Sequence, residues 1–246
     1  MDPRSVAERI EKDAKLPPGE GDRLFGYAVY ALPFTTGDVL ALRRFPVSSF
    51  GPAYTAVWHR DPDGRWMHYA DQPDEVTCPR FFGRAFHESR QARIRLDWRS
   101  ATQLDVRVED RIRWSVTLAS TPATRAMSVM GRWMPESWGR SRALLAPMSR
   151  AARPMLRAGR MRLAGRVPNG QWFLANPVEM WRVASSQARV GERVLDQPAP
   201  LPQQEHLRDF WLVQRGLFGS VRLVFEPHDR ARHAPAAATA SLPAAG

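Results

Sequence analysis

The sequence predicts a mainly β protein: an antiparallel barrel with a helical insertion. Three observations predict it. Apolar and polar side chains alternate with period two through residues 93–118. Two more pairs of strand-like runs precede that stretch, each pair separated by turn-forming residues. A segment of helical periodicity, rich in arginine, then interrupts the pattern at about 122–159 before alternation resumes.

At the N-terminus, Asp2 and Pro3 suit the cap and first turn of a short helix, with Val6 and Ile10 as its apolar stripe. Pro17-Pro18-Gly19 ends it, so residues 1–21 read as a helical leader. The runs 26–34 (GYAVYALPF) and 38–45 (DVLALRRF) flank the turn Thr35-Thr36-Gly37. The first run is apolar on both faces, as in a barrel strand with core on one side and a ligand cavity or lid on the other. The runs 53–60 and 65–70 follow, joined across Asp61-Pro62-Asp63-Gly64. Ile94, Leu96 and Trp98, then Leu104, Val106 and Val108, then Ile112, Trp114, Val116 and Leu118 alternate with polar residues. They predict a three-stranded meander with one dry and one charged face.

Residues 122–159 read as broken helix. Trp138, Leu145, Met148, Ala152 and Met155 fall on one helical face. Pro135 suits a helix start, while Pro147 and Pro154 should interrupt the run into two or three short helices. Strands are expected again at about 160–167, 171–176, 178–190 and 210–225, for about ten in all, which argues for a barrel or sandwich. Residues 22–226 thus form a single β-barrel domain, and 227–246, poor in large apolar side chains, form a disordered tail.

Composition narrows the function. The chain has 246 residues, 43% of them apolar, and a net charge of +11. Ser120–Gly170 holds ten arginines and one glutamate, so nine of those eleven charges sit in one fifth of the molecule. No run of eighteen apolar residues exists, and the charged N-terminus does not read as a signal peptide. Cys78 is the only cysteine, which excludes an intrachain disulfide and a cysteine metal cluster. A cytoplasmic protein is the expectation, with peripheral membrane contact open to it. The only lysines, Lys12 and Lys15, lie in the leader, so the body cannot form a Schiff base.

The arginine segment has three readings: an insertion capping one end of the barrel, a lid resting on an anionic membrane surface, or a nucleic-acid contact. Arg140, Arg142, Arg150, Arg153, Arg157 and Arg160 would make the anion or membrane contact. No nucleic-acid-binding consensus is present, which makes that partner the least favoured. Cavity-facing candidates are Tyr27, Tyr30, Tyr54, Trp58, His68 and Trp114, because aromatic side chains with polar tips suit a small-molecule cavity.

Acid–base candidates are His59, His68 and Asp209. His59 and His68 share a face of their hairpin whether its loop has two residues or four. They could hold a metal with a third ligand such as His87 or Glu88, or be incidental. Asp209 beside Phe210 and Trp211 could be a raised-pKa acid or a loop-end ion pair. No phosphate-binding glycine loop, nucleophile elbow or zinc-protease motif occurs, and no cofactor or metal is called for. The oligomeric state is left open.

The run GYAVYALPFTTGDVLALRRFPVSSFGPAYTAVWHRDPDGRW and the meander after it, residues 26–119, resemble lipocalin-like proteins of the carotenoid hydratase and hydroxyneurosporene synthase type. That resemblance implies a calycin-like barrel enclosing an apolar ligand. The arginine segment and the ending PNGQWFLANPVEMW through LRDFWLVQRGLF depart from it. The chain as a whole is similar to an actinobacterial protein family without an assigned activity. A barrel family of similar length, acetoacetate decarboxylase-like, needs a Schiff-base lysine that this body lacks. The leading expectation is binding of an apolar or amphipathic, lipid- or polyketide-like molecule under a basic helical lid. The alternatives are a cofactor-independent hydratase, isomerase or cyclase on the same scaffold, and an anionic-membrane or nucleic-acid adaptor.

Overall fold

The computed structural model describes residues 1–135, 141–229 and 232–233. Among the described residues the α-helices are α1 (Pro3–Asp13), α2 (Pro79–Phe82), α3 (Pro122–Trp133) and α4 (Arg142–Leu156). The strands begin with β1 (Asp22–Pro33), β2 (Val39–Ser48), β3 (Tyr54–Arg60), β4 (Trp66–Ala70) and β5 (Glu88–Gln91). The meander is β6 (Ile94–Trp98), β7 (Gln103–Val108) and β8 (Ile112–Ala119). After the helices come β9 (Ala164–Arg166), β10 (Trp172–Val190), β11 (Arg193–Leu195), β12 (His206–Leu207), β13 (Phe210–Trp211) and β14 (Leu217–Phe225).

The main sheet runs β5-β4-β3-β2-β1-β14-β10-β8-β7-β6, with β9 and β11 also on β10. Its pairings are antiparallel except β4 with β5, which is parallel. The sheet curls into a half-barrel. Trp98 of β6 lies 5.8 Å from Phe218 of β14, although β7, β8 and β10 intervene in the order. Residues 92 and 93 span the remaining gap: the Ala92 amide bonds the Ala70 carbonyl at 2.7 Å, and the Glu109 amide bonds the Arg93 carbonyl at 3.1 Å. One two-residue link therefore continues the ladders of both sheet edges.

Through β1–β4 and β14 both faces of this sheet are dry, whereas the meander β6–β8 keeps one dry and one charged face, as predicted. The inner face holds Tyr27, Val29, Leu40, Leu42 and Val57 against Leu104, Val106, Trp114 and Val116. The predicted α1 stripe joins it, with Val6, Ala7 and Ile10 almost fully buried. Asp2 caps α1 through the Ser5 amide at 2.9 Å, and Glu11 grips Arg44 of β2 through two bonds of 2.9 and 2.8 Å. The outer face carries a second core made with α2, α3, α4 and the 201–213 loop. β1 is thus apolar on both faces, with the inner core on one and the core under α2, α3 and α4 on the other.

The meander forms as predicted, with Ile94 opposite Val108 and Val108 opposite Ile112. Several other expectations need correction. Arg60 pairs with Trp66, so the β3–β4 loop has five residues, and Trp58, not His59, stands opposite His68. A one-residue slip reverses every side chain, so the two histidines point to opposite faces. The runs 171–176 and 178–190 are one strand, β10, bent by a register shift between Pro177 and Glu179. The run 210–225 is instead two strands. Alternation at 160–167 yields only the short β9.

α4 runs unbroken through Pro147 and Pro154. Its buried stripe is Leu145, Ser149 and Ala152, with Leu156 half-buried, while Met155 is exposed. The real stripe thus sits one position away from the predicted one at its C-terminal end. Packing holds what the two missing amide donors would otherwise forfeit. Pro135 is not helical, and Trp138 lies outside the described residues, so the second helix begins at Arg142. The expected tail is ordered at its start: His233 is buried, its Nε2 3.1 Å from Glu226 and its Nδ1 accepting from the Asp229 amide at 2.9 Å. Residues 234–246 lie outside the described residues. Among the described residues no helix is long and apolar enough to cross a membrane.

Candidate functional site

An apolar cavity of about 90 Å³ lies between the outer face of the sheet and the helical insertion. Its floor is Ala28 and Tyr30 of β1, Arg43 and Phe45 of β2, Met180 of β10 and Val221 of β14. Met127 of α3 and Ser149, Ala152 and Leu156 of α4 form the roof.

Local chemistry sets the roof. Thr121 and Thr124 cap α3 reciprocally: the Thr124 amide donates to Thr121 Oγ1 at 3.1 Å, and the Thr121 amide to Thr124 Oγ1 at 2.9 Å. Pro122 occupies the first helical turn. Gly131 lets α3 approach β10 closely, since a Cβ there would stand 2.5 Å from the Val178 carbonyl oxygen. Ser149 Oγ bridges α4 to the following loop, donating to the Leu145 carbonyl at 2.8 Å and accepting from the Leu163 amide at 2.9 Å.

Arg43 is the unusual member of the floor. It occupies a position in β2 where alternation puts Val39, Ala41 and Phe45. It is buried, and its guanidinium donates to the carbonyls of Val29 (2.8 Å), Leu42 (2.9 Å) and Tyr30 (2.9 Å). The Val29 and Tyr30 carbonyls lie where β1 and β2 shift register. The guanidinium also stands 4.8 Å over the Trp58 ring. No carboxylate pairs with it among the described residues. Burial alone pulls its pKa below the usual arginine value, the nearest titratable groups being Cys78, Tyr30 and Tyr54.

At the rim the cavity meets a second hollow, of about 470 Å³, through Ser149, Met161 and Arg162. This hollow is lined by Arg150, Arg153, Arg160 and Arg162, with Trp172 and Asp209. Arg162 pairs with Asp209, which also accepts from the Arg166 amide at 3.0 Å. Arg160 stacks 4.4 Å over Trp211. Asp209 is therefore the loop-end ion pair.

The structure divides the predicted cavity residues. Tyr30 lines the cavity, and burial holds its hydroxyl well above the usual tyrosine range. Tyr54 and Trp58 are buried in the same core near Arg43; Tyr54 Oη is 3.7 Å from Cys78 Sγ. Burial pushes the Cys78 thiol up, and Arg80 pairs instead with Asp22. Tyr27 and Trp114 belong to the inner core, donating to Glu11 (2.9 Å) and Ser186 (2.9 Å), and Trp114 also borders a separate hollow of about 600 Å³ with Asp105, Arg113 and Arg189. His68 is buried beside Phe86 with Nδ1 2.8 Å from Ser89 Oγ, and desolvation pulls its pKa down to about 3. His59 belongs to a different cluster: its Nε2 is 2.7 Å from Asp38, which also holds Arg193 and Thr36. Burial would raise Asp38, but the His59 and Thr36 bonds and the Arg193 charge hold it below the usual carboxylate range. Arg150, Arg153, Arg157 and Arg160 are exposed; Arg140 and the side chain of Arg142 lie outside the described residues.

No protein-family model matches the chain, and no curated protein does. Among solved structures it is similar to an acetoacetate decarboxylase from Legionella pneumophila subsp. pneumophila str. Philadelphia 1. The identity is 11%, the match covers 89% of this chain and 93% of that one, and the TM-score is 0.41. A second acetoacetate decarboxylase structure is similar at 10% identity, covering 93% of this chain and 96% of that one, with a TM-score of 0.38.

Proposed function

We propose that this protein binds a small apolar or amphipathic molecule in the cavity beneath α3 and α4, with the arginine hollow as its entrance. The observation that carries the reading is the cavity itself: an apolar space walled by Phe45, Met127, Leu156, Met180 and Val221, opening onto four arginines. A volume of about 90 Å³ has room for on the order of six water-sized groups. The ligand body is therefore short, and a longer chain extends through the hollow. An apolar ligand is also what the lipocalin-like resemblance of residues 26–119 implies. The rim arginines raise the local concentration of anionic molecules. Among the described residues the inner cavity offers hydroxyls and guanidiniums but no carboxylate and no imidazole, and the Asp209 carboxylate of the hollow is held by Arg162. That set supports binding over a hydratase, isomerase or cyclase, which needs an acid–base pair within reach of the substrate. Native mass spectrometry of the full chain tests the reading. A retained small molecule, displaced by short fatty acids or alcohols, is the expected result; an empty protein that takes up neither overturns it.

One observation favours a second role for the same helices. Val129, Met130, Trp133, Leu144 and Met155 are exposed on α3 and α4, Trp133 to 82%. Arginines flank them, and no described residue of the two helices is acidic. Exposed Trp, Met and Leu among arginines suit an anionic membrane surface. Sedimentation with phosphatidylglycerol vesicles but not phosphatidylcholine vesicles checks this. The triple variant R150Q/R153Q/R157Q should abolish that binding and leave the melting temperature within a few degrees.

A further inference from the structure

We infer that Arg43 is an anion anchor at the floor of the cavity, and that the ligand is a short-chain carboxylic acid that enters head first. This rests on the cavity being a binding site and names the class of molecule it takes.

A guanidinium has five N–H donors. Three carbonyls take three of them, and their place at the β1–β2 register shift explains why an arginine is tolerated there. They do not neutralise it. Carbonyl dipoles and the Trp58 face solvate the charge in part, yet no carboxylate balances it among the described residues. A buried ion without a counter-ion is costly, which is why such groups are usually paired. Here Arg43 also lines the cavity, so open space lies beside the residue. Two donors remain for a ligand, enough for the two oxygens of one planar carboxylate. The rest of the lining fits an acyl or aryl body, with Ala28, Phe45, Val221 and Leu223 among its apolar members.

The rim arginines cannot serve the same purpose in the same way. Arg162 already holds Asp209, and Arg150, Arg153 and Arg160 are exposed. Their attraction is screened by salt, whereas a pair formed in the enclosed floor is screened far less. Salt therefore separates the two places where an acid head could sit.

The experiment measures binding of hexanoate and of 1-hexanol to the wild-type full chain by calorimetry, at 50 mM and 500 mM NaCl. The expected result is hexanoate at least about tenfold tighter than hexanol, with the preference reduced less than about threefold by salt. Equal affinity, or tighter hexanol, overturns the anchor and leaves the cavity reading standing. A preference that vanishes at 500 mM NaCl places the head on the rim and also overturns it. Failure of both molecules to bind removes both readings. Arg43→Met should keep hexanol and lose the hexanoate preference, while R150Q/R153Q/R160Q should keep the preference at high salt. If Arg43→Met does not fold, the wild-type and rim measurements still decide.

Discussion

Replacing His68 with asparagine isolates one proton in the acid stability of this fold. His68 is completely buried, with Ser89 Oγ on Nδ1, the Phe86 ring beside it and no partner on Nε2. Among the described residues the carboxylate beside it is Asp74, 3.9 Å from Nδ1, beyond hydrogen bonding and already accepting from Ser89 Oγ. Desolvation therefore wins over attraction, and the folded pKa falls from 6.5 to about 3. The sign follows. Below pH 6.5 the unfolded chain binds a proton that the folded chain refuses, so stability drops as pH drops. Each pH unit well inside that window costs about 1.4 kcal/mol, and the loss between pH 6.5 and 4.5 comes to about 2 kcal/mol. Asparagine keeps a donor near Ser89 but does not titrate, so it adds no pH dependence of its own. Urea titrations of both proteins from pH 4.5 to 7 read the difference. Their stabilities should converge toward pH 4.5 by about 2 kcal/mol. Parallel curves, or an imidazole NMR titration above pH 5, would refute the reasoning.

Three further outcomes follow from packing and charge. Glu179 is buried and holds Arg9 of α1 at 2.7 Å and Arg132 of α3 at 3.8 Å, so Glu179→Gln should cost about 1–3 kcal/mol in chemical denaturation. Gly131→Ala would force α3 off the Val178 and Pro177 carbonyls, lowering the melting temperature by several degrees and weakening ligand binding together. Trp58 meets Trp66, Phe82, Phe86 and Phe210, so Trp58→Ala should cost about 3–5 kcal/mol, with fluorescence and thermal melts as the readout.

Much of the strand framework was legible because alternation is local. Ile94 to Leu118 specifies its own register, since a slip would turn Val106 and Trp114 to solvent. The β3–β4 hairpin carries no such protection: Trp58 and His59, and Met67 and His68, can each be buried on either side of a sheet that is dry on both. Loop length alone decided it, and the odd five-residue loop is closed by Asp61, whose carboxylate accepts from the Arg65 amide at 2.8 Å. The stripe of α4 was misplaced toward its end because methionines at 148 and 155 looked like core, while the small Ser149 and Ala152 are what the crowded roof accommodates. Tyr30 was readable as a cavity residue; Arg43 was missed. Its signal was the Arg43-Arg44 pair inside an apolar strand. In a two-sided strand, adjacent arginines cannot both reach solvent, so one of them had to be placed in a core.

The pairing of β1 with β14, Asp22 opposite Phe225, has a consequence for biosynthesis. The strand made first waits for the strand made last. Until Leu217–Phe225 leaves the ribosome, the nascent polypeptide carries an unsatisfied ribbon of amides and carbonyls along β1, beside Tyr27 and Val29. Every residue from β1 through β14 must be translated before that seam can zip up. Chaperones would be needed most during this interval, and a premature stop in the final strand would leave the seam open to other copies.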